Sequence, residues 1–135
     1  MQSLKIDLGT VKLAVNDDPE KVIEFNPTDV GMAERFYELI SEFNVKKEEY
    51  QKKSFELDPE NVEGGLSLLH EICEYMRGKI DYVFGDGTSQ KAFGNAMVLD
   101  MFEQFFAGIT PYIQKARSEK VKQYTNRAQK RTKTK

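Results

Sequence analysis

Residues 80–94, IDYVFGDGTSQKAFG, constrain the fold more than any other stretch of the chain, because two Phe-Gly pairs, Phe84-Gly85 and Phe93-Gly94, bracket a short polar turn between two apolar helical patterns. Gly85 and Gly87 free the backbone on either side of Asp86, and Phe84 and Phe93 are large apolar anchors able to pin the loop onto flanking helices. This is the composition of a connector that holds a shape, and it reads as a short helix or turn.

The helices that it joins follow from periodicity. Met32, Phe36, Leu39, Ile40 and Phe43 mark one face, with Glu34, Arg35, Glu38 and Glu42 on the others. Asn26-Pro27-Thr28-Asp29 starts this helix, with Asn26 as N-cap, Pro27 at the first helical position and Asp29 where its charge suits the helix N-terminus. The continuation VKKEEYQKK carries few apolar residues and reads as a solvated helical end. Asp58-Pro59-Glu60 repeats the start signal and opens a helix marked by Leu66, Leu69, Cys73, Met76, Ile80 and Val83, with Gly64-Gly65 weakening its first turns. A third helix begins near Asn95 or Ala96 and carries Met97, Met101, Phe102, Phe105, Phe106, Ile109 and Ile113, with a kink expected near Ala107-Gly108 because of Pro111. Before all of these, Leu4, Ile6 and Leu8, then Val11, Leu13 and Val15, then Val22, Ile23 and Phe25 predict strands over residues 3–25, as a hairpin or a meander. The expected fold is α+β and mostly α: strands over 3–25, then a bundle of about three main helices at 27–53, 59–83 and 96–114. Residues 1–114 form one domain and 115–135 a basic extension, helical or frayed.

Charge divides the chain in the same place. Residues 115–135 hold nine Lys/Arg and one acid, a net +8, whereas residues 1–114 hold eleven Lys/Arg and 21 Asp/Glu, a net −10. The basic positions Lys115, Arg117, Lys120, Lys122, Arg127, Lys130 and Arg131 read either as a solvated helix end or as an electrostatic arm for an acidic surface. Nucleic acid is the weaker partner for it, since Tyr124 is the one aromatic available for stacking and the acidic body repels a phosphate backbone.

Chemistry is harder to find. His70, the single histidine, stands three residues before the single cysteine, Cys73, and the two supply half of the ligands that zinc wants. Gly85-Asp86-Gly87 is followed by Gln90 where a dinucleotide fingerprint requires glycine, and helix precedes it where that fingerprint requires a strand. No catalytic, cofactor-binding or metal site is assigned. No apolar run approaches the roughly 18 residues of a membrane span, and the N-terminus lacks a hydrophobic signal core, so the expected compartment is the cytoplasm. Met101, Phe102, Phe105, Phe106 and Ile109 have the spacing of a core face, yet five large side chains within ten residues cover more than one helical face. A partly exposed patch there is the candidate protein-binding or self-association surface.

The order of features resembles the small tail assembly chaperones of long-tailed bacteriophages and prophages of Gram-positive hosts. Its most specific pieces are Asn26-Pro27 with Met32-Ala33-Glu34-Arg35-Phe36, and Ile80-Asp81-Tyr82-Val83-Phe84-Gly85 with Phe93-Gly94, and the likeness extends from about Phe25 to Lys135. The resemblance implies a non-enzymatic, cofactor-free helper in the host cytoplasm, absent from the mature virion. It implies a chaperone that coats the long helical tape measure protein and helps recruit tail tube protein, in part through a longer frameshifted product. The lysine-rich end, Lys130 to Lys135, is compatible with an A-rich slippery message. The alternative is a small phage DNA-associated or regulatory protein acting through the basic tail.

Overall fold

The computed structural model describes the backbone of residues 1–133 and the side chains of residues 1–125. It is an α+β fold dominated by helix: a two-stranded antiparallel hairpin, β1 (Val11–Ala14) and β2 (Val22–Phe25), then α1 (Val30–Glu56), α2 (Val62–Phe84), the short α3 (Thr88–Phe93) and α4 (Leu99–Lys133). Val11 pairs with Phe25 and Leu13 with Ile23, so alternation in the two strands sends Ile23 and Phe25 into the helices. Lys12 and Glu24 form an ion pair on the solvent side at 3.4 Å.

A meander does not form. Residues 1–10 pair with neither strand, and Leu4, Ile6 and Leu8 are exposed, at 86%, 69% and 66%. Alternation is a local property, whereas a strand also needs a partner edge. Here the backbone is tied down at its end instead: Asn26 Nδ2 and Thr28 Oγ1 both donate to the Leu8 carbonyl.

Both N-caps, Asp29 and Asn61, lie three residues after the expected ones, for one reason. Asn26-Pro27-Thr28-Asp29 and Asp58-Pro59-Glu60-Asn61 fold as the same turn, in which the first Asx side chain accepts from the backbone N–H two residues on, at 3.0 Å in each case. The fourth backbone N–H returns to the first carbonyl, at 3.1 Å from Asp29 and 2.8 Å from Asn61. The fourth residue then caps: Asp29 Oδ1 accepts from the N–H groups of Gly31 (3.0 Å) and Met32 (3.4 Å), and Asn61 Oδ1 from that of Gly64 (3.0 Å). Proline thus sits at the second position of a β-turn, where its fixed φ is equally at home. The end of α1 stays helical through the charged stretch because Tyr50 packs against the core.

Aromatic rings fill the space between hairpin and helices. Phe36 and Phe43 of α1 meet Phe106 of α4 edge-on at 5.9 and 5.5 Å, and Phe102 lies 5.9 Å from Phe43. From α2 the core receives Ile72, Cys73, Met76 and Ile80. Helix α4 starts at Leu99, later than expected, and continues unbroken past Pro111 and across residue 114. Pro111 leaves the Ala107 carbonyl without its helical donor, and Thr110 Oγ1 bonds back to the Phe106 carbonyl at 2.7 Å. Among the described side chains, the last buried one of α4 is Ile113; from Gln114 to Thr125 every side chain is exposed or half-buried.

Candidate functional site

The aromatic positions proposed as a binding surface are interior. Phe102 is 0% exposed, and Phe106 and Ile109 are buried with it. Met101 and Phe105 are half-buried against the same cluster. The physical reason is the number of elements that converge on α4: Phe93 from α3, Phe84 from α2 and Phe36 and Phe43 from α1 surround the ring of Phe102, Phe105 or Phe106 at 5.2–5.9 Å. Five large side chains on more than one face of α4 find partners because α3 covers a second face.

Around the Phe-Gly loop the residues singled out in the sequence come together. Phe84 stacks edge-on with Phe25 (5.9 Å), Phe36 (5.9 Å) and Phe105 (5.2 Å), and Phe93 with Phe102 (5.3 Å) and Phe105 (5.5 Å). Gly85 ends α2 at φ 115°, ψ 152°, a conformation essentially reserved for glycine, and Gly87 and Gly94 also hold positive φ. Two α2 side chains, Arg77 and Asp81, lock the loop from below. Asp81 accepts from the Ser89 N–H (2.8 Å) and the Ser89 hydroxyl (3.0 Å), which satisfies one of the free amides at the start of α3. Arg77 donates to the carbonyls of Gly94 (2.6 Å) and Ala96 (3.0 Å) and to Gln90 Oε1 (3.2 Å). The charge-assisted fork holds the connection into α4. Neither residue is identifiable from spacing alone, since both act across the loop on groups that only folding brings near.

Among the described residues no three His, Cys, Asp or Glu side chains converge as metal ligands. Cys73 is fully buried and burial pushes its thiol pKa up, while His70 points outward beside Glu74 at 3.3 Å, so the two potential ligands diverge. No described helix is long and apolar enough to cross a membrane.

What the surface offers is apolar side chains and a groove. Phe55 near the end of α1 is 91% exposed, with Val62 (65%) and Leu66 (60%) at the start of α2. Along the outer side of the α1–α2 pair runs a groove lined by Glu34, Tyr37, Glu38, Glu42, Val45 and Tyr75, among others. The Tyr75 hydroxyl donates to Glu42 at 2.5 Å, a bond that raises the tyrosine pKa above its usual value. Lys46 and Lys79 lie 4.8 and 5.6 Å from the centre of the Tyr75 ring. Of the basic tail, Lys115, Arg117 and Lys122 are exposed and Lys120 is half-buried; Arg127, Lys130 and Arg131 lie outside the described side chains.

These features define a small, mostly helical α+β domain with a filled aromatic core and a basic helical extension. The chain belongs to a family of unknown function, DUF6673, whose model matches residues 19–134. No curated protein and no solved structure matches it.

Proposed function

We propose that the protein is a non-catalytic tail assembly chaperone, which covers apolar helical stripes of a tape measure protein until tail tube subunits replace it. The observation that carries this reading is the placement of large apolar side chains on the outside of a domain whose interior is already full. Phe55, Val62 and Leu66 take no part in the core, which is closed by Phe36, Phe43, Phe102 and Phe106. A folded domain gains nothing by exposing a phenylalanine almost completely, and such residues suit a partner's apolar surface. Their position at the α1–α2 turn replaces the α4 aromatics as the contact surface. An exposed helical surface of this kind suits a rod-like helical partner, and many weak contacts repeated along one rod hold through multivalency yet yield one at a time.

Co-expression with a long, coiled-coil-rich tape measure protein tests the reading. The partner is expected to stay soluble and to co-purify with the chain, and substitution of Phe55 and Leu66 by serine is expected to return it to the pellet. A partner that stays insoluble beside abundant wild-type chain would refute the assignment.

A further inference from the structure

Helix α4 carries one line of residues that changes character where it leaves the body. Phe102, Phe106, Ile109 and Ile113 follow one another at steps of four, three and four and are all buried. The same steps continued along the helix meet Arg117, Lys120 and Tyr124, and in the sequence Arg127 and Arg131. At 3.6 residues per turn this is a single face. The face that builds the core thus becomes, beyond Ile113, a line of cations around one aromatic ring, and Tyr124 on it is 60% exposed. Lys115, Arg117, Lys120 and Lys122 make no ion pair among the described residues.

A complementary line lies on α1. Glu34, Glu38, Glu42 and Glu49 all line the outer groove. From residue 34 to residue 49 the line is about 22 Å long at 1.5 Å per residue, ample for the roughly 10 Å from Arg117 to Tyr124. Glu42 and Glu49 pair with the groove's own Lys79 (3.9 Å) and Lys46 (4.0 Å), whereas Glu34 and Glu38 have no ion-pair partner among the described residues and are the carboxylates left for an incoming cation. The groove already holds ammonium groups against its floor, with Lys46 and Lys79 near the ring of Tyr75, and it offers Tyr37 and Val45 to an incoming aromatic.

We propose that the α4 extension docks its Arg117, Lys120 and Tyr124 line into the acidic α1–α2 groove of a second copy of the chain. The extension cannot fill its own groove. Phe102 and Phe106 hold α4 against the side of α1 that carries Phe36 and Phe43, about half a turn away from Glu34 and Glu38. Past Thr28, beside Ala116 and Lys120, the helix continues to Lys133 without a break. Two extensions do not pair with each other, because each carries a net +8. Opposite charge is instead supplied by the body at −10. The contact joins different patches on the two copies, so it propagates head to tail or closes by reciprocal exchange. It needs no tail protein, and stands or falls separately from the chaperone reading.

Sedimentation of the full-length protein alone, over a concentration series at about 0.05 M and about 0.5 M salt, tests it. A mass above the 15.6 kDa monomer is expected, weakening in the higher salt. Charge reversal in the groove (Glu34→Lys with Glu38→Lys) or in the extension (Arg117→Glu with Lys120→Glu) should each weaken association by about tenfold or more. All four changes in one chain should restore it, with helical circular dichroism unchanged throughout. Restoration cannot come from misfolding. A monomer under every condition, or association indifferent to the reversals, overturns the proposal. So does a wild-type monomer that binds duplex DNA through Arg117 and Lys120, which would assign the extension to nucleic acid.

Discussion

Replacing Phe102 by alanine separates the interior of this protein from its surface. The ring is wholly buried between Phe43 at 5.9 Å and Phe93 at 5.3 Å. Truncating a buried phenylalanine to alanine costs about 3–5 kcal/mol, counting transfer and the cavity left behind. At about 0.05–0.15 kcal/mol per residue, a domain of this length is stable by about 7–20 kcal/mol, so the change removes a large share of the total. With a urea dependence of about 2 kcal/mol per molar, a loss of about 4 kcal/mol lowers the unfolding midpoint by about 2 M. Phe55→Ser, at a side chain 91% exposed, should leave the stability within about 0.5 kcal/mol of wild type, a midpoint shift of about 0.25 M or less. Urea titrations of the three proteins followed by far-UV circular dichroism check both figures. A Phe102→Ala cost below about 1 kcal/mol would show that the α4 ring is not enclosed as described, and would reopen α4 as a binding face.

Other consequences follow from the caps, the loop and the groove. Asp29→Ala and Asn61→Ala should each cost about 1 kcal/mol, whereas Asp58→Ala, which loses only a turn contact, should cost less; thermal unfolding ranks the three. Arg77→Met should destabilise by about 1.5–3 kcal/mol through loss of its bonds to the Gly94 and Ala96 carbonyls, and should speed hydrogen exchange in residues 88–98 before the rest of the chain. Tyr75 donates to Glu42, so its folded pKa lies above the ordinary 10.0. The contribution of that bond is fully present below pH 10 and is lost as pH rises through the raised folded value. Ultraviolet titration should therefore show one of the six tyrosines ionising late, and Glu42→Gln should weaken that delay.

Much of the architecture is legible in the sequence. The stripes Met32 to Phe43, Leu69 to Val83 and Phe102 to Ile113 mark three helices because burial on one face leaves a 3.6-residue trace whatever the tertiary arrangement. Boundaries were harder. Both Asx-Pro pairs satisfy a helix cap and a β-turn equally well on local grounds, and only the second Asx in each, Asp29 and Asn61, decides between them. Leu4, Ile6 and Leu8 alternate as a strand does, yet nothing in their own sequence states that no edge is free to receive them. Phe102, Phe106 and Ile109 have the sequence pattern of a partly exposed patch and are buried for a related reason. Whether a second apolar face on α4 is covered depends on α3, six residues held in position by Arg77 and Asp81 across the loop. Phe55, in contrast, lies two residues past the charged stretch VKKEEYQKK that reads as a solvated helical end, and its exposure agrees with those neighbours.

The claim at the centre of this account is that the protein works by covering another protein's apolar surface with residues outside its own core. Light scattering of tape measure protein diluted from denaturant, with and without the folded chain, measures that directly. The account predicts that the wild-type chain suppresses aggregation at near-stoichiometric ratios and that Phe55→Ser with Leu66→Ser, equally folded, does not. Aggregation unchanged by the wild type, or suppressed as well by the double variant, would contradict it.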